Sequence, residues 1–210
     1  LENDIKAKHS GRDEVYALAV LKRGRIEPAD RFKAAMTGFF TDADGMKVTL
    51  KAMGDAGRFS EITALKKDYK EHYGVDLLDD LRKNCWPRDY TEIKALLENG
   101  TLHPEDDIKM AIMGKGYLNF GMWGFGTQPG AIEAVFADKT HEQRQEIVER
   151  FNNKYGNLED ALFSNLASEA YSDIKKILDP ENANGKLSNL DALTRNWRGL
   201  GSDYKGAKEL

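Results

Sequence analysis

The chain has 210 residues, 31% of them charged and 40% hydrophobic, and a formal net charge of −4. That composition gives ample apolar material for a core and argues against a nucleic-acid binder, which carries a basic stripe. It also means that attraction to an anionic membrane would need a bridging cation or a local basic patch. Cys85 is the only cysteine, which excludes an intrachain disulfide and a cysteine-based metal cluster. No stretch reaches the roughly 18 consecutive apolar residues of a membrane span. No signal peptide precedes the first helix, although Leu1 reads as the interior of something larger.

In chain order, residues 1–24 predict two short helices broken near Ser10-Gly11, with apolar positions at Val15, Leu18, Val20 and Leu21. Pro28 opens a helix running to Met36, at a position where its missing N–H costs little. A second copy of that start follows at His103-Pro104, with Ile108 and Ile112 behind it. Between Thr41 and Tyr73 two helices are expected. One carries Met46, Val48, Leu50 and Met53 and stops at Gly54–Gly57; the other carries Ile62, Leu65, Tyr69 and Tyr73 at three- and four-residue steps. Its counterpart downstream has Ile147, Val148, Phe151 and Tyr155. Short helices follow at 76–81 and 157–162, then closing helices with Ile93 and Ile174. Nothing alternates with the period of two that strands require, so the expected class is all-α.

The two halves follow one script from Met36 to Leu97 and from Met122 to Leu178. Each opens on a glycine-containing loop and runs through an amphipathic helix. That helix ends in a tyrosine-glycine stop, Tyr73-Gly74 or Tyr155-Gly156, and a matched run follows, ending at Leu97 or Leu178. Such self-similarity predicts stacked helical units whose loops carry the function. From Thr41 to Tyr73 is 32 positions and from Thr127 to Tyr155 is 28, so the first unit holds about four extra residues. Residues 114–121 read as an insertion before the second loop, and 179–185 as a turn-rich connector. Trp197-Arg-Gly-Leu-Gly-Ser202 begins a third copy of the loop. Opening and closing in mid-unit is what a piece of a longer protein would do.

These features resemble the annexin repeat. Met122-Trp123-Gly124-Phe125-Gly126-Thr127 matches that family's calcium loop at every position but Trp123. The run Lys139 to Ile147, with Phe151 and Tyr155-Gly156, is similar to its second helix. The resemblance implies repeats of about five helices each, stacked into a compact curved array. The expected divisions are the end of a preceding repeat (1–24), two repeats with their leading helices (25–100 and 101–180), and the start of a further one (181–210). It also implies a non-catalytic, intracellular or membrane-peripheral module. A glycine-rich turn points carbonyls at a Ca²⁺ ion, which takes six to eight oxygens, and an acidic side chain from a later helix completes the site.

Here the pattern departs from the family. The acid position falls on Asn165 in the second unit and on Asn84 in the first, and Phe40 replaces the first loop's second glycine. The expected metal residues are therefore Met122, Gly124, Gly126 and Asn165 in a degenerate, weak calcium loop, with Trp197, Gly199 and Gly201 in a partial second one. At the loop tips stand Trp123 and Phe125, Phe39 and Phe40, and Leu200. These are either outward apolar prongs that contact a membrane or partner, or residues packed beneath their own loops.

The remaining chemistry-bearing residues read as structural. His9, His72, His103 and His141 share no metal spacing, and Asp79-Asp80 and Glu159-Asp160 lie at helical spacing far from any nucleophile. Cys85 reads as a small buried residue, and no P-loop, Gly-x-Ser-x-Gly or His-Glu-x-x-His motif occurs. Two functions are expected. One is peripheral association with phospholipid, with weak or absent Ca²⁺ binding. The other is a scaffold or protein-interaction module of a larger protein that kept the fold and lost calcium-dependent lipid binding. Neither has a nucleic-acid partner or a small-molecule substrate.

Overall fold

The computed structural model describes residues 1–114, 126–182 and 185–187, and among these it contains twelve α-helices and no strand. The chain divides into two units between His103 and Pro104. The first holds α1 (Glu2–Lys8), α2 (Gly11–Arg23), α3 (Pro28–Met36), α4 (Ala43–Asp55), α5 (Phe59–Tyr73), α6 (Leu77–Asn84) and α7 (Pro87–Asn99). The second holds α8 (Pro104–Met113), α9 (Pro129–Phe136), α10 (His141–Tyr155), α11 (Leu158–Asn165) and α12 (Ser168–Leu178). The five-helix repeat therefore occurs twice, as α3–α7 and α8–α12. At the division between the units, Leu102 packs on the first core and Pro104 starts the next helix. Helices α1 and α2 lie in the first unit, where α2 packs against α3.

Each core is built from one stripe per helix. In the first unit Phe32, the α4 residues Met46, Leu50 and Met53, and the α5 residues Ile62, Leu65 and Tyr69 meet Leu77, Leu81, Ile93 and Leu96. In the second, Ile108, Ile132, Phe136, Ile147, Phe151, Leu158, Leu162, Ile174 and Ile177 play the same parts. Full burial of each such side chain contributes about 1.5–3 kcal/mol before entropic costs. Val48, expected on the α4 stripe, is 67% exposed instead. Met46, Leu50 and Met53 follow the i, i+4, i+7 rule, and a residue two positions after Met46 lies on another face.

The extra residues of the first unit lengthen the helix after the loop, with α4 at 13 residues and α9 at 8. The five additional helical residues are partly offset by a connection to the next helix that is one residue shorter, and Met46 and Leu50 keep the same spacing from Thr41 as Ile132 and Phe136 keep from Thr127. The longer α4 crosses α7 at a contact only glycine permits: a Cβ on Gly54 would lie 1.8 Å from the Gly100 carbonyl oxygen.

Candidate functional site

In the first unit the turn from α3 to α4 is short and held at both ends. The Asp42 N–H donates to the Ala35 carbonyl (2.9 Å), and the Thr41 hydroxyl donates to the Asn84 carbonyl at the end of α6 (2.7 Å). Asp42 then caps α4, its carboxylate accepting from the Gly45 N–H (3.0 Å). Between these anchors Phe39 is 92% and Phe40 75% exposed, and their rings meet edge to face at 4.8 Å. They do not pack beneath their loop. Two adjacent exposed aromatics form an apolar prong.

The second unit repeats the anchors. The Gln128 N–H donates to the Ala111 carbonyl (2.9 Å), and the Thr127 hydroxyl reaches the carbonyls of Ile112 and Asn165, each at 3.0 Å. Four residues separate Met36 from Thr41, whereas fourteen separate Ile112 from Thr127. Gly126 is exposed at the base of this loop. Met122, Trp123, Gly124, Phe125, Trp197, Gly199, Leu200 and Gly201 lie outside the described residues.

The two asparagines lie beside the loops, and their side chains face their own helices. The Asn84 amide donates to the Asp80 carbonyl (2.8 Å) and carboxylate (3.1 Å), and the Asn165 amide to the Ala161 carbonyl (2.8 Å). The nearby Asp80 carboxylate is matched internally by the Tyr69 hydroxyl (2.5 Å) and the Lys33 ammonium (3.0 Å). Burial opposes its ionisation, yet those two partners hold its carboxyl below the usual aspartate range. With a neutral amide at 84, a phenylalanine at 40 and a neutralised Asp80, the first loop does not fit a complete calcium site. Among the described residues no cluster of three or more His, Cys, Asp or Glu side chains could hold a metal ion.

The frame behind the loops includes three buried charged residues whose role was not legible from sequence. Asp30 is fully buried in the first turn of α3. It accepts from the Tyr73 hydroxyl (2.5 Å), the Glu27 N–H (2.8 Å) and the Arg23 guanidinium. Asp106, in the same place on α8, accepts from the Tyr155 hydroxyl (2.5 Å) and the Lys154 ammonium (2.7 Å). The recurrence of an acid two residues after Pro28 and Pro104 was the available signal. In the second unit Arg144, also fully buried, donates to the carbonyls of Lys139 (2.6 Å), Asp179 (3.1 Å) and Asn182 (2.5 Å).

The other candidates are quiet. Burial and the charge of Asp89 push the Cys85 thiol up to about 12, which leaves negligible thiolate at neutral pH. Glu159 pairs with Lys175 (2.7 Å) and Tyr171 (2.9 Å), and Asp79 with Arg82 (3.5 Å). No described helix is long and apolar enough to cross a membrane.

No protein-family model matches the chain. Over 133 residues, 63% of this chain and 37% of the relative, it is 29% identical to annexin A5 of Homo sapiens. Over 143 residues, 68% of this chain and 40% of the relative, it is 28% identical to annexin A4 of Homo sapiens. The match thus spans about two fifths of the length of these curated relatives. Among solved structures, chicken annexin V in complex with Zn²⁺ aligns with a TM-score of 0.40 at 21% identity, covering 82% of this chain and 50% of that one. Annexin III aligns with a TM-score of 0.39 at 20% identity, over 79% and 48%.

Proposed function

We propose, from the premise that this chain is a divergent annexin-like protein, that it is a non-catalytic module for peripheral association with phospholipid. The observation that carries this reading is the Phe39–Phe40 prong, exposed on a loop fastened by Thr41 and Asp42. An apolar tip held away from its own core gains free energy by entering the acyl boundary of a bilayer. Calcium has a residual part at most, at the loop ending in Gly126 and Thr127, because Asn165 offers no charge there. The alternative is a scaffold role in which the same prong meets a protein.

Sedimentation with vesicles of phosphatidylserine and phosphatidylcholine, in chelator and in millimolar calcium, separates the two. Binding that weakens about tenfold or more in a Phe39→Ser/Phe40→Ser variant supports the membrane reading, since each buried Phe contributes about 1.5–3 kcal/mol. Absence of binding in both conditions sinks it and leaves the scaffold reading.

A further inference from the structure

A cleft of about 170 Å³ opens in the first unit, with Arg12 and Tyr16 of α2, Arg31 of α3, and Asp42, Gly45 and Thr49 at the start of α4 around it. That volume is far above the roughly 15 Å³ a single water needs. Two guanidiniums from different helices face one space. Their only carboxylate there is Asp42, whose Oδ2 lies 3.8 Å from Arg12 Nη1. Asp42 is itself committed to capping α4. Among the described residues the Arg31 and Tyr16 side chains make no hydrogen bond or ion pair. The cleft therefore holds an excess of positive charge and unused donors, inside a chain whose net charge is negative.

Arg forks match the oxygens of phosphate in a bidentate way, and a phenol adds a further donor. The rim of the cleft is also the base of the aromatic loop: Ala35 and Asp42, which close that loop, both line it. Phe40 stands two residues before Asp42, so their Cα atoms are within roughly 7.6 Å. An anion held by the guanidiniums thus sits beside an apolar tip, the order of charge and hydrocarbon found in a phospholipid.

We infer that this cleft binds a phosphate group, that of an anionic phospholipid headgroup, without calcium. The assignment rests on the membrane reading above and supplies the local basic patch that an acidic chain needs at an anionic surface.

The test uses the full chain and an Arg12→Gln/Arg31→Gln variant. Both positions are at the surface, and helical circular dichroism with thermal unfolding checks that the variant folds. Inorganic phosphate is titrated while the Tyr16 and Gly45 amide resonances are followed. Separately, vesicles of phosphatidic acid or phosphatidylserine in phosphatidylcholine are sedimented in chelator. The expected result is a saturable shift at both amides that the variant loses, and vesicle binding that drops about tenfold or more in the variant. Binding that also falls with salt agrees with it. A phosphate shift without vesicle binding keeps the phosphate site, assigns it to a free phosphate, and overturns the membrane reading. Vesicle binding equal in parent and variant, with no phosphate shift, overturns the cleft and leaves the membrane reading standing.

Discussion

The Tyr73 hydroxyl, on the last residue of α5, donates a 2.5 Å hydrogen bond to Asp30 in the first turn of α3. Tyr155 and Asp106 make the same 2.5 Å bond between α10 and α8. The tyrosine-glycine stop that marks each repeat in the sequence is therefore one half of a buried pair. Its other half is the acid beside each proline-led helix start. A buried carboxylate with several donors is costly to leave half-satisfied.

Replacing that acid tests the pair. Asp30→Asn removes the carboxylate charge that faces Arg23 and replaces two acceptor oxygens with one, and Asp106→Asn does the same opposite Lys154. Each is expected to cost about 3 kcal/mol in urea-induced unfolding. Tyr73→Phe is expected to cost about 1–2 kcal/mol, since it removes a donor and leaves the guanidinium in place.

The pH dependence follows in sign from the same groups. Burial works against the charge on Asp30, but Tyr73, the Glu27 N–H and Arg23 together hold its carboxyl below the ordinary value, as Tyr69 and Lys33 do for Asp80. Lowered folded-state values stabilise the fold fully above the unfolded value of about 3.9 and stop doing so as pH falls below it. For Tyr69 and Tyr73, burial and the adjacent carboxylates raise the phenols. That contribution is present below the ordinary phenol value of about 10 and is lost as pH climbs past it. Phenolate absorbance should show these two tyrosines ionising late, together with loss of helical signal.

Glycine substitutions should act in opposite directions in the two units. Gly54→Ala places a methyl 1.8 Å from the Gly100 carbonyl and must push α4 off α7, an expected loss of about 1–3 kcal/mol in thermal or urea unfolding. Gly130→Ala, in open space on α9, is expected to gain about 0.5–1 kcal/mol.

Arg144→Met removes the donors that hold the carbonyls of Lys139, Asp179 and Asn182. An expected loss of about 3 kcal/mol should appear in urea unfolding, together with faster hydrogen exchange around residues 179–182. Arg144→Lys should recover only part of it, since one ammonium cannot span the carbonyls that the planar fork reaches.

The helices were legible because their starts and stops are local. Pro28 and Pro104 lead their helices, and the Ile62–Leu65–Tyr69 stripe is buried at helical spacing. Val48 misled because hydrophobicity alone does not say which face a residue takes. Asp30, Asp106 and Arg144 were hidden for a different reason. In sequence they look like ordinary charged residues at a helix start, and only tertiary folding brings their partners, 35 to 49 positions away, into contact. At the loops, Thr41 and Thr127 bond the backbone carbonyls of Asn84 and Asn165, and a backbone acceptor is something no residue type announces.

That last bond makes the two positions tolerant of substitution. Thr41 and Thr127 hold carbonyls of the main chain, and every amino acid has one. The side chain at 84 or 165 is thereby released from fastening its loop, so a substitution such as Asn84→Asp or Asn165→Asp leaves the threonine tether in place. Main-chain atoms set the shape of each loop, and the residue type at 84 or 165 is left to set its local charge.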